Sequence, residues 1–217
     1  MAYAWMPGVR CIRAETDGGP LQGGAPRAVW LTLGARPGAV SVQSAAQRLT
    51  AEGRSCHLIW DPATGDIAQL IPVLRAGRAL GAAEHLDWRG DCVQDKVPRV
   101  NREGRICVQI GVLACSGEPF TTGPMPGLAA ILSWLDSWNV PRRWPAGRPP
   151  AFVNAAFSRS RARWAQGGHF GASQVPECES LGPGGIDTDR LTGAHLVPVV
   201  IPHHTVPVAT PLTAAVG

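Results

Sequence analysis

Glycine and proline interrupt this chain too often for any long regular element. It holds 26 Gly and 20 Pro in 217 residues, where the pair averages roughly 12% of a typical protein. Gly weakens helix and strand interiors, and Pro removes a backbone donor. The pattern excludes a helical bundle or coiled coil and predicts short elements joined by long, shaped connections. Disorder is not implied. The hydrophobic fraction is 45%, the charged fraction 17% and the net charge +4, whereas disordered chains combine low hydrophobicity with high net charge. The length suits one domain with one sizeable core.

Other classes drop out on simple grounds. No run of 18 uncharged apolar residues occurs, so no transmembrane helix is expected. The opening residues lack the basic and apolar regions of a secretory signal. Six Cys are scattered without a C-x-x-C pair, which fits neither a disulfide framework nor a zinc ribbon. Buried free thiols are the expectation. Arg142, Arg143, Arg148, Arg159, Arg161 and Arg163 form the densest basic stretch. Too few aromatics interleave it for a single-strand binder, so it reads as a solvated Arg loop and no nucleic acid is expected.

Residues 1–27 read as a Gly/Pro-rich arm. Ala28–Leu33 reads as a buried strand. Ser41 then precedes a helical stripe of Val42, Ala45, Ala46 and Leu49, with Gly53 as its stop. Cys56–Trp60 and Asp66–Pro72 flank turn chemistry and predict a hairpin. Arg105–Leu113 is the strongest strand. Leu128, Ile131, Leu132, Leu135 and Trp138 mark a second helix after Pro124 and Pro126. Segments 140–166 and 167–186 read as irregular, and Asp187–Leu191 as a short helix. Beyond residue 195, four Pro spaced through β-branched residues predict an extended tail. This order implies an α/β domain over 28–194, a small mixed sheet flanked by helices, with a Pro-rich tail at 195–217.

The strings in this order resemble the type 2 N-acetylmuramoyl-L-alanine amidases, which share a fold with peptidoglycan recognition proteins, and most of all the amidase modules of actinobacteriophage endolysins. The resemblance spans about 5–191. It runs from Trp5-Met-Pro-Gly8 through Ser55-Cys-His-Leu-Ile-Trp-Asp61 and Gly65-Asp-Ile-Ala-Gln-Leu-Ile-Pro72. It continues through Asn101-Arg-Glu-Gly104 and Cys107-Val-Gln-Ile110, and ends with Gly168–Glu177 and Gly182–Asp187. It implies a zinc ion on two His and one Asp or Cys, with an open position for water, and a nearby carboxylate or Tyr for proton transfer.

The resemblance fails at the chemistry. The first His position holds Leu31, the second Ala172 and the Asp position Gly182, while the strand carboxylate is Gly111. None of the four can ligate a metal or carry a proton through a side chain. Other potential ligands are His57, His169, Cys178, Glu179, His203 and His204. Adjacent pairs such as His203-His204 and Cys56-His57 point apart on an extended chain. Trp134 and Trp138 read as core, and Trp88 and Trp144 as the better exposed aromatics.

The resulting expectation is a catalytically inactive amidase-like domain without zinc or any other cofactor. It would be a structural or binding component of a phage or phage-like particle, made in the cytoplasm without a signal peptide. Its partners would be neighbouring subunits, clamped by the tail, without membrane insertion. One alternative is a peptidoglycan-binding module whose groove is lined by Thr32, His57, Trp60, Arg75, Gln109 and Ser173. Another is an active amidase with non-standard zinc ligands.

Overall fold

The computed structural model describes residues 1–81, 97–151, 159–180 and 182–193. The strands described are β1 (Arg10–Cys11), β2 (Arg27–Thr32), β3 (Leu58–Trp60), β4 (Ile67–Gln69), β5 (Cys107–Val112) and β6 (Gly168–Gly171). They form one sheet in the order β1-β4-β3-β5-β2-β6. The β3–β4 hairpin is antiparallel, and the other neighbours run parallel. With α1 (Val42–Ala51), α2 (Leu128–Ser137), α3 (Arg161–Ala165) and α4 (Thr188–Thr192), this is an α/β fold with a small mixed sheet.

The two longer helices cover opposite faces of that sheet. Ser41 caps α1 by accepting the Ser44 N–H at 3.1 Å. Val42, Ala45, Ala46 and Leu49 then pack onto Val29, Leu31, Ile59 and Ala68. On the other face, Leu128, Ile131, Leu132 and Leu135 of α2 meet Trp30, Trp60, Val108, Ile110 and Val112. Coverage on both faces explains why β2 and β5 read as continuous apolar runs.

Three segments differ from the sequence expectation. The arm supplies the edge strand β1, and it is tied down further on. Met6 N–H donates to Gln69 Oε1 at 2.6 Å, and the Nε1 groups of Trp134 and Trp138 donate to the Tyr3 carbonyl at 2.9 and 3.2 Å. The 140–166 stretch contains α3, and its arginines are not merely solvated. Arg142 pairs with Asp136 at 2.6 Å, Arg161 with Glu103 at 2.8 Å, and Arg143 and Arg163 donate to the carbonyls of Gln166 and Ala146. Guanidinium groups offer five donors in a fork, which suits them to fastening irregular backbone.

The segment expected to be irregular at 167–186 contains β6, which extends the sheet beyond β2. Its outward amides are occupied. His169 N–H donates to the Arg143 carbonyl at 2.8 Å, and Gly171 N–H to Gln174 Oε1 at 3.0 Å.

Cys56, Cys107 and Cys178 are buried free thiols, as expected, but Cys11 is exposed and Cys115 half-buried. Cys11 sits on an edge strand and Cys115 in a surface connection, so neither position offers a core to enter. Cys92, Trp88, His203, His204 and the 195–217 tail lie outside the described residues.

Candidate functional site

The positions that the resemblance singles out meet at the carboxyl end of β2. Leu31 is the direct register partner of Gly111 on β5. On the other side, Trp30 pairs with Gly171, the last residue of β6, and Ala172 follows it into a 3-10 turn. Leu31 and Gly111 are therefore paired across β2 and β5, and Ala172 follows directly on the end of β6 at the other side of β2. Gly182 joins them through the Ser173 N–H, which donates to its carbonyl at 2.9 Å.

The two glycines there differ in the room they leave for a side chain. A Cβ on Gly182 would sit 2.4 Å from Thr32 Oγ1 and 2.9 Å from Ser116 Oγ, and those two hydroxyls are themselves hydrogen-bonded at 3.0 Å. A Cβ on Gly111 would meet Leu33 Cδ1 at 3.0 Å and Cys56 Sγ at 3.1 Å. Leu31 and Ala172 are packed into the α1-side core.

The residues assigned by sequence to a groove do not share one surface. Trp60 is buried on the α2 side, where its Nε1 donates to the Pro126 carbonyl at 2.8 Å. Arg75 is exposed and holds Asp17 at 2.8 Å, a contact that keeps the Asp17 carboxyl below its ordinary pKa. Ser173 is buried beneath the Gly182 connection. Thr32 is the member closest to the carboxyl end and bonds Ser116.

His57 and Gln109 belong to a buried polar strip. His57 Nδ1 accepts the Gln109 N–H at 3.0 Å, so its other nitrogen carries the proton and donates to the Arg75 carbonyl at 2.8 Å. Burial pushes the His57 pKa down to about 4. The Gln109 side chain donates to Asn101 Oδ1 at 2.7 Å and accepts the Ala79 N–H at 2.9 Å. Asn101 in turn donates to the carbonyls of Leu80 and Pro98. Gly77 is required by this strip, because a Cβ there would lie 2.3 Å from Gln109 Oε1.

His169 is also buried, between the rings of Trp30 and Trp144. Its Nδ1 accepts the Trp30 Nε1–H at 3.1 Å, while its Nε2 has no partner among the described residues. Burial lowers its pKa to about 4. Trp144, expected to be exposed, is half-buried and donates to Gln174 Oε1 at 2.6 Å. The loop that carries it folds back onto β6.

Among the described residues, the candidate ligands do not fit the zinc ion that the resemblance implies. Both His57 nitrogens are engaged within the protein. His169 is enclosed by indoles, and Cys178 is buried with its thiol pKa raised by burial. Cys56 and Cys107 are pushed up to about 12 by the same cause. Among the described residues, no three His, Cys, Asp or Glu side chains are grouped to hold a metal.

Sequence reasoning missed a groove of about 430 Å³ formed by the connections after β2, β3 and β5. Its walls include Pro37, Pro62, Pro119, Phe120 and Pro124, with Cys115 and Glu118 at the polar side. These prolines come from three separate connections, so no local pattern marks them as one surface.

No protein-family model matches this chain, and no curated protein sequence matches it. A solved structure described as the endolysin N-acetylmuramoyl-L-alanine amidase LysCS from Clostridium intestinale URNW is similar to it at 12% identity and a TM-score of 0.45. The match covers 89% of this chain and 99% of that one.

Proposed function

We propose that this chain is a catalytically inactive amidase-like domain serving as a structural or binding component of a larger assembly. The observation that carries the reading is the pairing of Leu31 with Gly111, with Ala172 at the end of the neighbouring strand and Gly182 bonded to the residue after it. These neighbouring positions are the ones where the sequence resemblance places the metal ligands and the carboxylate. Fold does not imply function, so activity has to be argued from side chains at the site. These four offer neither a metal ligand nor a titratable group.

The proposed setting is a phage or phage-like particle, with neighbouring subunits as partners. It is drawn from the likeness of the motifs to phage modules. Zinc quantification on the purified full chain, paired with a cell-wall clearing assay, tests the loss of catalysis. Less than stoichiometric zinc and no clearing are expected. Stoichiometric zinc with clearing overturns the reading in favour of an amidase with non-standard ligands.

A further inference from the structure

We propose that the groove walled by Pro37, Pro62, Pro119, Phe120 and Pro124 is the seat of this chain's own C-terminal segment, Val197–Leu212. The proposal goes beyond the inactive-domain reading and does not depend on it.

The chain leaves the described fold beside this groove. Asp187 N–H donates to Thr121 Oγ1 at 2.8 Å. The Arg190 guanidinium donates to the carbonyls of Thr121 and Gly123, the latter at 2.7 Å. Phe120, Thr122 and Gly123 are groove-wall residues. Helix α4 is thus bolted to one wall, and Gly193 ends it there.

The C-terminal segment has the chemistry to fill an apolar groove. From Leu191 to Gly217 there is no Asp, Glu, Lys or Arg. Val197-Pro-Val-Val-Ile-Pro202 precedes Val206-Pro-Val208 and Pro211-Leu212. Such a segment lacks the low hydrophobicity and high charge of a chain that stays in water, and burying its apolar surface lowers its free energy. Prolines at 198, 202, 207 and 211 favour extended conformations, so ordering the segment in a groove costs less entropy. Apolar grooves take proline-containing extended segments in this way.

At about 3.1 Å per residue in an extended proline-type helix, the nine residues from 194 to 202 span roughly 28 Å. Tethering makes the docking intramolecular, with an effective concentration near the millimolar range. That favours the chain's own tail over another copy's.

Cys115, in the groove lining, is the probe. Maleimide labelling of the full chain is followed at Cys115 by peptide mapping, with exposed Cys11 as internal control. The tail variant V200D/I201D and the groove variant T122R should each speed Cys115 labelling about tenfold or more, equivalent to roughly 1.4 kcal/mol of docking, without changing Cys11. A synthetic peptide of residues 196–212, added to V200D/I201D, should restore protection. Equal Cys115 rates in the full chain and both variants overturn the proposal, as does a peptide that fails to protect. Labelling that speeds up on dilution, with a doubled mass in solution, overturns it in favour of a second copy's tail. None of these readouts depends on zinc or clearing.

Discussion

Two positions on β5, only two residues apart and on the same face of the sheet, have opposite roles. Gln109 holds together a buried polar strip in which Asn101, Ala79 and His57 all depend on it. Gly111 contributes no side chain, and the space beside it is filled by Leu33 and Cys56. One end of the strand is organised by hydrogen bonds and the other by apolar packing. The polar strip ties the connections that carry Arg75, Ala79 and Asn101 to β3 and β5.

The largest expected effect is on pH dependence. His57 and His169 are both held near a pKa of about 4 by burial, from an ordinary 6.5. The unfolded chain takes up these protons as pH falls below 6.5, while the folded chain resists until about 4. Stability should therefore fall between pH 6.5 and 4 and level off for these groups below that, by roughly 3 kcal/mol per histidine. Denaturant unfolding across that window measures it. H169F should remove about half of the histidine-dependent slope, and an unchanged slope would break the assignment.

Next comes Q109L, which leaves the Asn101 carbonyl oxygen and the Ala79 amide without the partners that Gln109 gives them. A loss of about 3 kcal/mol is expected, read from the urea midpoint. Gly182→Ala comes third at about 2 kcal/mol, because its Cβ collides with the Thr32 hydroxyl. The double variant with Thr32→Ala should recover part of that loss, since removing Oγ1 frees the contact. The smallest effect is expected for Gly111→Ala, about 1 kcal/mol or less, because the flexible Leu33 can give way. A Gly111→Ala loss as large as that of Q109L would erase the contrast between the two halves of β5.

Much of the scaffold was legible because it announces itself locally. Ser41, the Val42–Leu49 stripe and Gly53 specify α1, and the apolar run at 107–112 specifies β5. Strand β6 was not legible. Gly168-His-Phe-Gly171 is four residues long with glycine at both ends, and its strand character comes from pairing with β2 rather than from propensity. Strand β1 is two residues long and carries no period to detect.

The four positions at the carboxyl end could be located by aligning motifs. That Gly182 has no room for a side chain depends on Thr32 and Ser116, which come from two other connections far away in the chain. Likewise, a sequence names His57 as a possible ligand. Only the opposing Gln109 amide and Arg75 carbonyl reveal that both of its nitrogens are already engaged.

The occupied outer edge of β6 has a consequence for crowding. A strand whose outward amides already serve the Arg143 carbonyl and the Gln174 side chain offers no template for another chain's backbone, and the opposite edge is only two residues long. Among the described strands, neither sheet edge invites edge-to-edge pairing between crowded copies, since short or covered edges block that route.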